Sequence, residues 1–279
     1  MDKQGFIDFN TRLSPENSGK ADSYARAIMI LDEVLKHQHT IDLNGQSLYD
    51  INDTAKIEDV LNLVNIEVKK MRQQQHSIFD YGNPNQRSYP LNNFCSAALK
   101  SLKKYAVYEQ EVVEADLIVN QETNPHKISS KLIKHFDITK EGKDVASLTK
   151  QRKGQDYFRR MILNNYSCQC AITGINIPQL LLASHIIPWA EKSHKKERLN
   201  PENGICLSAL YDKAFDKGLI TISPDDYTVQ LSSALREYET QEFYNMHFGS
   251  ISGQKITMPI DHQPNKEFLQ YHRDHIFQR

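Results

Sequence analysis

LLLASHIIPWAEKSHKKERLNPENGICLSALYDKAFDKGLITIS, residues 180–223, changes character several times within a short span. Leu180–Ile187 is an apolar run of strand length, and Pro188 ends it because proline cannot donate to a central ladder. His185 therefore sits near the end of an apolar strand. A loop rich in charge follows, from Glu191 to Arg198, and Asn200–Gly204 reads as a turn. Ile205–Leu207 is a second short strand. Ser208–Gly218 has the marks of a short helix, with Ser208 as a candidate N-cap and Gly218 as a candidate C-cap residue. Leu219–Ser223 is one more strand. Upstream, Thr173–Gly174 is a turn. The order is strand, loop, strand, helix.

Outward from this stretch, the N-terminal part reads as helical. Tyr24, Ile28, Leu31 and Leu35 are spaced four, three and four apart, one stripe on one helix face, with Asp22-Ser23 as its cap. Val60, Leu61, Val64, Val68 and Met71 predict a second helix from about Ile57. A third is expected from near Leu91 through Phe94, Ala98, Leu102 and Tyr105. FDYGNPNQRSYP, residues 79–90, is a break between them. The segment from Glu111 to Lys150 shows little periodicity and is read as a connector. The expected organisation is a helical recognition or assembly domain over 1–110, a connector over 111–150 and a chemical domain over 151–279, an α+β chain.

The 279 residues suffice for two domains, and 39% are apolar, so each can bury a core. Lys and Arg number 34 against 35 Asp and Glu, so total charge says nothing about a nucleic-acid partner. Charge is nonetheless concentrated locally: His126–Arg160 holds ten Lys or Arg and four Asp or Glu. Such a stretch suits a phosphate-binding surface or a solvated linker. No apolar run approaches the roughly 20 residues of a membrane span, and the N-terminus lacks the pattern of a secretion signal. Cys95, Cys168, Cys170 and Cys206 are too few for a disulfide framework, so a reducing cytoplasm is the expected location.

Several phrases in order, RKGQDYFRR (152–160), CAITG (170–174), ASHIIPWA (183–190), RLNPENGICL (198–207), LYDKAFDKGLITI (210–222) and FLQYHRDHIF (268–277), resemble the HNH endonuclease family, in particular its bacterial restriction-type branch. The resemblance covers about Arg152 to Phe277. It implies a C-terminal ββα-metal fold and hydrolysis of DNA phosphodiester bonds, in restriction or defence against foreign DNA. It also implies a divalent metal ion, Mg²⁺ before Mn²⁺ or Zn²⁺, and duplex DNA as partner. A homodimer is in keeping with double-strand cleavage, which needs two active-site events; no membrane partner is expected.

On this resemblance His185 is the base that deprotonates water, since a histidine titrates near neutrality. Asn203 takes the position that orients the imidazole or its loop. Asp212 takes the helix position of a metal ligand, where the family usually has histidine; a carboxylate suits a hard cation. Asp216 follows four residues later on the same helix face. It stands near a helix C-terminus, against the macrodipole. Arg152, Lys153, Arg159 and Arg160 are the candidate phosphate contacts. The sequence departs from the family at Ser184, where an acidic residue or histidine often precedes the base, and at Tyr211-Asp212. A four-cysteine zinc site is not expected from Cys168, Cys170 and Cys206.

Other readings compete. A histidine in an apolar strand is usually a satisfied core residue, and Asn203-Gly204 is a standard hairpin turn pair. Trp189 is expected to pack under the hairpin loop, His194 to be solvated, and His272 and His275 to cap the fold. Two rival functions stand beside the nuclease: a nucleic-acid-binding module without catalysis, and an effector switched on by a partner or ligand through the N-terminal domain.

Overall fold

The computed structural model describes residues 1–13, 19–138 and 145–279. Lys140, Glu141, Lys143 and Asp144 of the basic stretch lie outside the described residues. The chain divides into two compact units, Met1–Glu114 and Ala115–Arg279.

The first unit is helical. Its elements are α1 (Lys3–Leu13), α2 (Lys20–Val34), α3 (Thr54–Arg72), a single turn α4 (Ser88–Leu91) and the greater part of α5 (Phe94–Gln121). The apolar spacing that predicts α2 holds: Ile28, Leu31 and Leu35 are buried. The helix begins earlier than Asp22-Ser23, however, with Gly19 at the N-cap position and Ser23 bonded back to the Gly19 carbonyl at 2.9 Å. In α3, Asp53 caps the helix through the Ala55 amide, and Val60, Leu61, Val64, Val68 and Met71 are all buried. Phe6, Phe9, Tyr105 and Tyr108 form an aromatic seam between α1 and α5, with ring centroids 5.4 to 5.9 Å apart. The 79–90 break carries only 3-10 turns and α4.

The stretch read as a connector is helical. α5 continues to Gln121, and α6 (Pro125–His135) and α7 (Val145–Asn165) follow. Asn124 caps α6 by accepting from the Lys127 amide, with Pro125 at the first helical position. α6 is a short amphipathic helix in which Ile128, Ser129 and Leu132 are buried.

The second unit is α+β. β1 (Leu181–His185) pairs antiparallel with β2 (Gly204–Ser208), with Leu181 opposite Ser208 and His185 opposite Gly204. α8 (Ala209–Asp216) follows β2 directly, so β1, β2 and α8 form a ββα unit in chain order. β3 (Ile220–Ile222) and β4 (Val229–Leu231) make a second small sheet, followed by α9 (Glu242–His247) and α10 (Lys266–His275).

Both α7 and α8 pack on the β1–β2 hairpin, and the side chains show that they do so from opposite faces. A Cβ on Gly204 would lie 2.5 Å from Ile162 and 2.7 Å from Phe158, so this face of the hairpin meets α7. Ser184, one residue from the cross-strand partner of Gly204, bonds Asp212 of α8 instead. Consecutive strand residues point to opposite faces, which accounts for both observations. The Asn203-Gly204 pair is not a hairpin turn: Gly204 is extended, with φ −135°, and the whole of 186–203 connects the strands. At the end of α8 the Leu219 amide bonds the Ala214 carbonyl at 2.9 Å and the Gly218 amide bonds the Phe215 carbonyl at 2.8 Å. This is a Schellman closure, and Gly218 supplies the left-handed φ of +66° that it requires.

Candidate functional site

His185 closes β1. Its ring stacks on Phe158 of α7, with centroids 3.9 Å apart and planes at 14°, and meets Trp189 edge-on at 5.6 Å. Its Nε2 lies 3.0 Å from the Arg198 carbonyl oxygen. A carbonyl can only accept, so Nε2 carries the proton and Nδ1 holds the lone pair. Nδ1 makes no hydrogen bond among the described residues, and the side chain keeps part of its surface exposed. Burial pushes the pKa down to about 4; the bond to the Arg198 carbonyl opposes this and the Arg198 charge adds to it. At neutral pH the imidazole is therefore neutral, with one defined tautomer. It is not a satisfied core histidine, because only one of its nitrogens is satisfied.

Asn203 is buried and makes three bonds to the loop that leaves β1. It accepts from the Ile187 amide at 2.9 Å and donates to the Ile187 carbonyl at 3.2 Å and the Glu197 carbonyl at 3.0 Å. Its amide is wholly engaged with backbone, so what it orients is the loop rather than the imidazole.

Asp212 stands in the first turn of α8 and accepts from Ser184 Oγ at 2.6 Å. Asp216 lies one turn on. Its pKa is raised, first by burial and then by the negative charge of Asp212, with Lys213 and Lys217 opposing. Two carboxylates close enough to repel, with a hydroxyl beside them, form a hard oxygen donor set. That set suits Mg²⁺ or Mn²⁺, which retain several waters and take one or two carboxylates. It does not suit Zn²⁺, which favours three or four N or S ligands. Among the described residues there is no cluster of three His, Cys, Asp or Glu side chains able to hold a metal ion.

Direct convergence of His185 and Asp212 on one cation is not what the hairpin provides. Ser184 and His185 alternate, so the imidazole lies on the α7 face and the carboxylates on the α8 face. They flank β1, which is an edge strand of a two-stranded sheet.

The four candidate phosphate contacts on α7 differ in their surroundings. Arg159 donates to the Leu181 carbonyl at 2.6 Å and the Pro178 carbonyl at 3.1 Å, which anchors the start of β1. Arg160 faces Asp116 at 3.8 Å. Arg152 is exposed and Lys153 half-buried. Trp189 packs in the loop as expected, with the Arg198 guanidinium 5.2 Å above its ring. His194 is half-buried and meets Tyr271 edge-on at 4.9 Å rather than being freely solvated. His272 is buried, bonded to Thr221 Oγ1 at 2.9 Å and to the Phe215 carbonyl at 3.1 Å, so it holds the fold. His275 is exposed and stacks on Tyr271.

Sequence reasoning missed Phe158, Arg198 and the Ser184–Asp212 bond. Phe158 and Arg198 stand inside the phrases RKGQDYFRR and RLNPENGICL, but no spacing rule ties them to His185. Cys170 and Cys206 are buried thiols, and Cys170 Sγ accepts from the Ser208 amide at 3.2 Å.

Compared with known proteins, residues 170–223 match the HNH endonuclease family. The match spans β1, β2, α8 and β3, the segment that holds His185, Asn203, Asp212 and Asp216. No curated protein matches the chain. No helix among the described residues is long and apolar enough to cross a membrane.

Proposed function

We propose, from the premise that residues 170–223 are an HNH endonuclease segment, that this protein cuts DNA by metal-dependent hydrolysis with His185 as general base. The observation that carries the reading is the state of His185: proton fixed on Nε2 by the Arg198 carbonyl, lone pair on Nδ1 unengaged, pKa well below neutrality.

Nδ1 accepts a proton from water as the water oxygen attacks phosphorus and the bond to the departing 3′ oxygen breaks. An imidazolium would be costly in this apolar pocket, but an adjacent phosphate anion favours the protonated form and raises its pKa during the reaction. Phe158 and Trp189 fix the ring plane, and Arg198 fixes the tautomer. Asn203 holds the loop that carries Arg198. Asp212 and Asp216 would hold a divalent metal ion, which supplies Lewis-acid stabilisation of charge developing on the phosphate oxygens. The scissile phosphate would straddle the outer edge of β1, between the imidazole face and the carboxylate face. Exposed Arg152 of α7 would make a backbone contact, and a role in defence against foreign DNA accords with such chemistry.

The test is cleavage of plasmid, linear duplex and single-stranded DNA, and of RNA, with Mg²⁺ or Mn²⁺ and after chelation. A positioned general base contributes about 10²–10⁴-fold, so His185→Ala should lose activity by about that factor while keeping its DNA affinity. Equal cleavage by His185→Ala and wild type would overturn the assignment. Asp212→Asn should shift the metal requirement to higher concentration; full activity with an unchanged requirement would remove Asp212 from the site.

A further inference from the structure

The loop between β1 and β2 carries Lys192, Lys195, Lys196 and Arg198 against Glu191 and Glu197. On charge alone it looks like an ordinary solvated loop with its own counter-ions. The structure engages those carboxylates elsewhere. Glu191 accepts from Ser193 Oγ at 2.6 Å, the Ser193 amide at 3.0 Å and Tyr271 OH at 3.1 Å, and these bonds hold its pKa down to about 2. Glu197 accepts from Asn200 Nδ2 at 2.6 Å and faces His126 at 3.0 Å. Arg198 turns inward over Trp189, and Lys195 is half-buried and already engaged. Lys192 and Lys196 remain: both are exposed, and neither side-chain ammonium has a hydrogen-bond or ion-pair partner among the described residues.

The loop that presents them is fixed. Ser129 Oγ donates to the Lys196 carbonyl at 2.6 Å, Asn203 Nδ2 donates to the Glu197 carbonyl at 3.0 Å, and Arg198 Nε donates to the Trp189 carbonyl at 2.8 Å. The same loop sets the base, since the Arg198 carbonyl holds His185. Two unpaired ammonium groups on a pre-organised loop, next to the group that activates water, match the spaced negative charges of a nucleic-acid backbone.

We propose that Lys192 and Lys196 form a phosphate-contact track that holds the DNA backbone beside the scissile bond. The proposal rests on the nuclease reading and names where the substrate is held.

Anisotropy of a labelled duplex oligonucleotide, with chelator present to stop cleavage, gives affinity across about 50 to about 200 mM salt. Each phosphate contact contributes about 0.9 to the slope of log affinity against log salt. The double variant Lys192→Gln/Lys196→Gln should therefore flatten that slope by about 1.8 and weaken binding about tenfold or more near physiological salt. Lys100→Gln/Lys104→Gln, an equal charge change on exposed positions of α5, should leave the slope unchanged. A wild-type slope in the loop variant, or equal flattening in the control pair, overturns the track. If wild type cuts DNA while the loop variant keeps its slope, only this proposal fails. If wild type neither binds nor cuts nucleic acid, the nuclease reading fails with it.

Discussion

At the scale of single residues, one buried amide does more than its position in a motif suggests. Asn203 satisfies the amide and carbonyl of Ile187 and the carbonyl of Glu197. Removing it leaves the Ile187 amide and carbonyl without partners in a buried place, at about 1–3 kcal/mol for a group left unsatisfied, while the Glu197 carbonyl keeps the Asn200 amide. Asn203→Ala should lower stability by roughly 2–3 kcal/mol, read as a shift in urea midpoint. Its effect on cleavage should exceed what that loss of folded protein explains, because the Arg198 carbonyl would no longer be fixed against His185. If kcat per folded molecule is unchanged, the loop does not need this strut. The residue type and its place were legible in RLNPENGICL, but its two acceptors and one donor were not. They come from residues up to 16 positions away in the chain.

At the scale of elements, the ββα unit depends on two glycines for different reasons. Gly218 has φ +66°, and a Cβ there would lie 2.1 Å from the Ile276 carbonyl oxygen. The left-handed conformation costs a non-glycine residue about 1–2 kcal/mol before any clash. Gly218→Ala should therefore destabilise by more than about 2 kcal/mol, seen in denaturant unfolding. A loss under about 1 kcal/mol would mean that the C-terminal segment moves aside without cost. Gly204 is extended, so its need is space: Phe158 and Ile162 occupy the volume a methyl would take. Gly204→Ala should push on the ring that stacks on His185, lowering cleavage while the metal dependence stays as in wild type. Strong composition and turn signals made α8, β1 and β2 readable. α6 was passed over although it carries a stripe, because that stripe is short: Ile128 and Leu132, one turn apart, are its buried apolar positions.

At the scale of the whole molecule, two imidazoles couple folding to pH. His185 and His272 both have pKa values lowered by burial to about 4 from an ordinary 6.5. Between those values the unfolded chain binds more protons than the folded protein. Their stabilising contribution is therefore complete above pH 6.5 and is lost as pH falls toward 4. One pKa unit corresponds to about 1.4 kcal/mol, so buried His272 alone accounts for roughly 3 kcal/mol over that window. Thermal unfolding should show Tm falling from pH 6.5 to pH 4.5, and His272→Gln should show a shallower fall. An identical slope in the variant would place the proton uptake elsewhere. The segment that matches the HNH endonuclease family lies wholly in the second compact unit.

The amino-acid order alone determined that residues 180–223 form strand, strand and helix, and that His185, Asn203 and Asp212 are the residues to watch. Period, turn chemistry and motif order are properties of neighbours in the chain, and these positions are neighbours. Which nitrogen of His185 is unengaged, which face it shares with Phe158, where Asn203 spends its amide and which lysines lack a carboxylate were decided only in the folded molecule. Each depends on groups that long-range packing brings to within about 3 to 4 Å, and no local pattern records such distances.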